Sequence, residues 1–185
     1  MANSPTFSAA ELPWLEAGYR LFARGGPAAL KVEVLARESG VSKSSFYHLF
    51  ADLQLFERRL LELHLRNSEQ IRLEALLCRS IDPDLIALLV RAKTDILFDR
   101  QLRVNRQHEH YRLCFEEANA GILLAFSSVW AEALNLGNQP EAARLSLQLT
   151  VDNFYLTVTE ENLNLEFLRQ YWQQLKETIT RLRTP

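Results

Sequence analysis

The stretch VEVLARESGVSKSSFYHLFA, residues 32–51, decides the fold of this chain. Leu35, Val41, Phe46 and Leu49 are spaced so that two short helices can share a small apolar core. Gly40 lies between them, where a positive φ costs nothing. Ala36 is small where the second helix must approach closely. Ser42 is a candidate N-cap for that helix, worth about 1 kcal/mol. The helix then exposes Lys43, Ser44, Tyr47 and His48. From Ser39 to Ala51 no acidic residue occurs, in a chain that has 23 of them. Two short helices at a fixed angle, the second with hydroxyls, an ammonium and an imidazole on its outer face, have what a helix-turn-helix needs to meet phosphates and base edges.

Outward from this stretch the pattern stays helical, with proline and glycine falling almost entirely between periodic segments. Leu12, Leu15, Tyr19 and Phe22 predict a first helix from an N-cap at Ser8 to Arg24, stopped by Gly25-Gly26-Pro27. Asp52 is the candidate N-cap of a long helix reaching about Leu77 on Leu53, Phe56, Leu60, Leu63 and Ile71. Asp82-Pro83 reads as an N-cap followed by proline at the first helical position, opening a helix to about Arg103. Further helices are expected over 106–117, from an Asn119 cap to the break at Gly137–Pro140, and over 140–161. The last runs from about Leu165 to Arg183 on a stripe of Leu168, Tyr171, Trp172, Leu175, Ile179 and Leu182. The expectation is an all-α chain: an N-terminal three-helix domain over 1–51 that carries the helix-turn-helix, then a helical domain over 52–185.

Composition narrows the function. With 48% hydrophobic and 24% charged residues over 185 positions, the chain is globular in make-up. Its apolar runs fall well short of the roughly 18 residues a membrane span needs. The N-terminal MANSPTFSAA lacks the basic and apolar regions of a signal peptide, so a cytoplasmic location is expected. Cys78 and Cys114 stand alone, which excludes a disulfide framework and a CxxC site. Net charge is -2, divided as +1 over residues 1–66 and -3 over the rest. Any DNA affinity must therefore come from local arrangement. No nucleophile elbow, phosphate-binding glycine loop or HExxH motif is present, so no enzyme is indicated. His108 and His110 point to different sides of a helix and cannot share an ion. No metal and no cofactor are implied.

The segment GVSKSSFYHLF, from Gly40 to Phe50, resembles the signature of the tetracycline-repressor (TetR) family, and LFARGG with VEVLARESG fits that family's first and second helices in order and spacing. The specific resemblance covers roughly Leu12 to Leu61. It implies a dimer that reads a palindromic double-stranded operator, with Ser42, Lys43, Ser44, Tyr47 and His48 meeting DNA. Lys31 stands where a threonine or serine commonly opens the second helix, and could reach a phosphate. Leu53 stands where a lysine is usual. Fewer charged phosphate contacts, and a shallow salt dependence, follow.

The resemblance also implies a small-molecule effector, and the aromatic and apolar content of the middle helices offers Phe98, Tyr111, Phe115, Phe126 and Trp130, with Cys114 and Asn153 as polar members. The last two helices are the dimerisation candidates, through Leu168, Tyr171, Trp172, Leu175 and Ile179. A helical ligand carrier or protein-interaction module with weak or lost operator binding is the alternative.

Overall fold

The computed structural model describes residues 6–183, with only the backbone described for 182 and 183. The Leu182 side chain, expected on the last apolar stripe, and residues 1–5 of the N-terminal segment lie outside the described residues. Helices occur among the described residues, and no strand. They are α1 (Leu12–Gly25), α2 (Val32–Ser39), α3 (Lys43–Phe50), α4 (Leu53–Ala75), α5 (Ile86–Arg91), α6 (Lys93–Val104), α7 (Glu109–Ala133), α8 (Pro140–Thr157) and α9 (Leu165–Arg183). Two compact units result. The first comprises residues 1–69 and 94–118, the second 70–93 and 119–185. α4 and α7 each begin in the first unit and end in the second.

In the first unit, Ser8 opens a reciprocal cap. Its backbone N–H donates to Glu11 Oε2 at 2.8 Å, and the Glu11 N–H donates to Ser8 Oγ at 3.3 Å. This satisfies donors that the helix start would otherwise orphan. Pro13 falls in the first turn of α1, where its missing N–H costs nothing. α1 buries Trp14, Leu15, Ala17, Tyr19 and Phe22, and a side chain at Gly18 would collide with the Phe56 ring of α4.

A buried polar chain runs through this unit. The Tyr19 hydroxyl lies 2.7 Å from His64 Nδ1 and 2.7 Å from Asp95 Oδ1, and His64 Nε2 lies 3.0 Å from Asp99 Oδ1. The Asn67 amide reaches the same Asp95 oxygen at 3.2 Å. His64 is fully buried, and its ring stacks on Phe98 at 4.4 Å. α1, α4 and α6 are thereby joined by groups that would each be costly to bury without a partner.

Several expected boundaries change. Asp82 does not cap. Its carboxylate is taken by Arg169 at 3.0 and 3.2 Å. Ser80 caps instead, accepting the Asp84 N–H at 3.4 Å, while Asp84 accepts the Arg79 N–H at 3.0 Å. The helix expected to run on to Arg103 breaks at Ala92, and the chain passes from the second unit to the first after Lys93. The helices expected on either side of residue 118 are one, α7. Asn119 is buried in its middle and accepts the Tyr155 hydroxyl at 3.2 Å, so a tertiary partner replaces the capping role. Gly121 does not interrupt the helix, and the Arg72 side chain fills the space its missing Cβ leaves.

In the second unit, Leu134, Leu136, Ala143, Leu147, Tyr155, Val158, Leu163 and Leu168 form the apolar interior. The Trp130 indole N–H donates to Ser146 Oγ at 3.0 Å. α8 ends at Thr157, earlier than the periodicity predicts. Asn162 takes over there, donating to the Thr157 carbonyl at 2.9 Å and accepting the Thr159 N–H at 2.7 Å.

Burial, assisted by Asp95, holds the Tyr19 hydroxyl neutral well above the ordinary phenol range. Burial and the hydrogen bond to Glu57 do the same for Tyr111. Burial, with Asp99 and Glu117, pushes the Cys114 thiol up to about 12. All three groups belong to the first unit, and all favour the protonated form in the folded state. Their contribution is complete below the pH where an unfolded thiol or phenol ionises, about 9 and about 10, and is lost as pH rises through the folded values. The urea midpoint should therefore be flat between about pH 7 and 8 and fall above about pH 9. Cys114→Ala should make that alkaline limb shallower, as tryptophan fluorescence across a pH series will measure.

Candidate DNA-binding interface

The recognition element is built from its buried side outward. Phe46 and Phe50, both fully buried, anchor α3. Phe46 meets Trp14 edge-on at 5.3 Å and Phe56 at 5.4 Å, and Phe50 meets Phe56 at 5.0 Å. Rings at such centroid distances add about 0.5–1.5 kcal/mol per pair beyond burial. Leu35 of α2 is also fully buried, whereas Val41 and Leu49, expected in the same core, are half-buried. Between α2 and α3, Gly40 adopts φ 71°, the left-handed conformation expected of it. Ser39 Oγ then accepts the Val41 N–H at 3.3 Å and helps close the turn.

Ser42 has the extended backbone of an N-cap, with φ -68° and ψ 146°, but its hydroxyl makes no capping bond. It lies 3.0 Å from Ser44 Oγ instead. The hydroxyl pair is thus directed sideways across the helix start, and the capping energy expected of Ser42 is not realised. Lys31, at the N-cap of α2, is exposed and likewise makes no capping bond.

With the aromatic anchors on one side, the other side of α3 is turned out. Ser42, Lys43, Ser44, Tyr47 and His48 are all exposed. Tyr47 is 56% exposed, large for an aromatic ring, and rests edge-on against Phe46 at 5.5 Å. Its base is fixed while its hydroxyl end is free to contact a partner. Lys43 donates to Glu33 Oε1 of α2 at 2.7 Å. Glu33 is absent from the sequence-derived set, because its position on a different helix hides its proximity to Lys43.

A solvent-facing helix of this composition, held rigidly at a tight turn on a three-helix scaffold, defines a helix-turn-helix DNA-binding protein. Residues 15–52 match the family model described as bacterial regulatory proteins, tetR family. This N-terminal segment is thus similar to the tetR family, and the match supports a DNA-binding transcriptional regulator. No curated protein and no solved structure gives a significant match to the chain.

The expected effector residues are divided between the two units. Phe98, Tyr111, Cys114 and Phe115 belong to the first unit, Phe126, Trp130 and Asn153 to the second. Phe98 is fully buried and packs between Phe22 at 4.2 Å, Tyr19 at 4.5 Å and His64. Tyr111 donates to Glu57 at 2.6 Å, and Phe115 lies under the Arg103 guanidinium at 5.9 Å.

Open cavities occur among the described residues of the second unit. One, of about 300 Å³, is lined by Arg79, Asp82, Glu132, Trp172 and Lys176 among others. The second, of about 370 Å³, is an apolar groove between α8 and α9 that includes Leu149, Asn153, Tyr171, Leu175 and Ile179. Of the expected effector residues, only Asn153 lines either one.

The five dimerisation candidates divide as well. Leu168 is buried inside the unit, and Trp172 faces the smaller cavity. Tyr171, Leu175 and Ile179 line the groove. α8 adds Leu145, Leu149 and Leu156, which are 52%, 60% and 76% exposed. Their spacing is legible in the sequence as a helical stripe, but not the side to which it faces.

Ala51, between α3 and α4, has φ 57° and ψ -53°, with the Asp52 N–H donating to the Phe50 carbonyl at 2.6 Å. This is a γ-turn with positive φ, strained for any residue with a Cβ. Ala51→Gly should raise stability by about 1 kcal/mol, read as a higher urea midpoint at unchanged helicity.

Proposed function

We propose that the chain is a ligand-responsive repressor that binds a palindromic operator as a homodimer in the cytoplasm. Residues 1–51 act as the DNA-binding domain and 52–185 as the effector-binding and dimerisation domain. The observation that carries this reading is the exposed, acid-free face of α3, Ser42 to His48, on a fully buried aromatic base. Ser42, Ser44 and Tyr47 supply hydroxyls, and Lys43, with Lys31 at the start of α2, supplies charge for phosphates.

One such helix contacts too few base pairs to bind tightly by itself, and half-sites about 34 Å apart require two copies. The groove between α8 and α9, with Leu145, Leu149 and Leu156 beside Leu175 and Ile179, supports a second copy as the occupant. Leucines this exposed on two adjacent helices suit a four-helix bundle closed across a two-fold axis. An effector would act by changing the separation of the two recognition helices, since a small angular change misplaces both on the operator. The effector is expected to be a small organic molecule with an apolar body, in keeping with the aromatic content of the helices after α3.

Selection of bound duplexes from a random DNA pool should enrich a palindrome with half-sites one helical turn apart. Absence of enrichment over several rounds would overturn the repressor reading in favour of a helical carrier or interaction module. On the selected duplex, Tyr47→Ala and Lys43→Ala should each weaken binding by about tenfold or more without loss of helicity. Leu149→Glu combined with Leu175→Glu should convert the dimer to monomer in sedimentation velocity and weaken operator binding in parallel. A dimer that survives both charges places the interface elsewhere.

A further inference from the structure

The Lys43 ammonium, the principal charge on the recognition helix, is occupied by a carboxylate of the same domain. Glu33 belongs to the first turn of α2, and its Oε1 accepts from Lys43 Nζ at 2.7 Å. Both side chains are largely exposed, 52% for Lys43 and 69% for Glu33, so the pair stands in solvent on the surface that carries the expected DNA contacts. The carboxyl is held below the usual carboxylate range by the hydrogen bond from Lys43, then by its own backbone N–H and the charge of Lys43, with a further contribution from the charge of Lys31. Glu33 is therefore ionised at neutral pH and feels both lysines of the expected DNA-contact set. α2 repeats the theme at lower strength, with Arg37 lying 3.5 Å from Glu38.

We infer that Glu33 is an affinity-limiting residue which stands in for a DNA phosphate, competing with the duplex for Lys43. The inference rests on the DNA-binding reading and deepens it. An anion needs only charge and a hydrogen-bond acceptor to hold an ammonium, and a carboxylate oxygen supplies both, as a phosphate oxygen does. When the domain approaches DNA of any sequence, Lys43 gains a phosphate only by giving up Glu33, and the freed carboxylate then faces the duplex with its charge uncompensated. The exchange is close to neutral for backbone contact alone. It is offset only where α3 also makes base contacts, which a correct half-site supplies and random DNA does not. Affinity for DNA of any sequence is therefore lowered by a repulsive element of the domain itself, and binding that survives it depends on base contacts.

The counterion balance gives a distinct signature. A lysine that neutralises a phosphate releases condensed counterions, but a carboxylate freed in the same step takes up a cation and cancels part of that release. Removing the Glu33 charge should restore the cancelled part, making the slope of log K against log salt steeper by up to about 0.9.

The test uses the full-length chain and a short random-sequence duplex, with affinity measured by fluorescence anisotropy between about 50 and 200 mM salt. Wild type, Glu33→Gln, Lys43→Ala and the double variant form the set, with circular dichroism confirming equal helicity. Glu33→Gln should bind about threefold to tenfold tighter than wild type, with the steeper slope. In the Lys43→Ala background the same substitution should yield less than half of that gain, which identifies the pair rather than overall charge as the cause. Equal and measurable affinities for wild type and Glu33→Gln would overturn the competition, as would an undiminished gain without Lys43. Failure of every variant, wild type included, to bind any duplex at the lowest salt would instead overturn the DNA-binding reading on which the inference rests.

Discussion

An eight-residue helix has no stability of its own in water, since the cost of nucleating it exceeds what so few hydrogen bonds return. α3 therefore depends on the two phenylalanines that fix it to the first unit. Phe46 and Phe50 are placed one turn apart; both pack on Phe56 of α4, and Phe46 also meets Trp14 of α1. Burying two such side chains contributes about 1.5–3 kcal/mol each before the ring geometry is counted. Because the buried side carries most of the attachment, the residues on the other side contribute little to packing beyond the Tyr47 ring on Phe46. They are left to hydroxyls, an ammonium and an imidazole, groups chosen for a partner and not for the fold.

The orientation of α3 follows from its two ends. Gly40 permits the tight turn from α2 without strain, whereas Ala51 permits the turn into α4 only with strain. The γ-turn at Ala51 persists because Phe50 and Phe56, five positions on, are both locked in the aromatic cluster, and Asp52 caps α4 through the Leu55 N–H at 2.7 Å. Packing on either side thus over-determines a backbone conformation that local preference disfavours, the general condition under which strain survives in a folded chain.

Much of this was legible in the sequence, for a physical reason. Helical periodicity reports burial directly, so α1, α3, α4 and α9 could be placed within a few residues, and the left-handed turn at Gly40 could be assigned by steric need. What could not be read depends on partners distant in sequence. His64 sits where a leucine would suit the α4 stripe, and only Tyr19, 45 positions earlier, and Asp99, 35 positions later, make its burial tolerable. Asn119 looks like a helix cap until Tyr155 supplies a partner, and Asp82 looks like one until Arg169 does. Apolar character in the middle helices was equally ambiguous. A phenylalanine that fills a core and one that lines a pocket have the same periodicity, and Phe98 proves to be core.

Charge on the helix-turn-helix follows the same logic at the surface. The near-neutral balance of the first 66 residues reads from sequence as a shortage of cations, and hence as weak support for a nucleic-acid partner. The structure recasts that shortage as pairing: Lys43 is present on the recognition helix, but its charge is held by Glu33, and Arg37 lies beside Glu38. An exposed pair of this kind adds little to stability, between about 0 and 1 kcal/mol. Its consequence falls on recognition, because an anion that approaches must compete with a carboxylate already in position. A regulator faces far more wrong sites than right ones in a genome, so its useful quantity is the ratio of specific to non-specific affinity. A surface that neutralises its own cations gives up affinity common to all sequences and keeps what the hydroxyls, Tyr47 and the helix direction can distinguish. Low net charge on such a domain is therefore compatible with a selective DNA-binding protein, provided the cations that remain lie on the recognition helix.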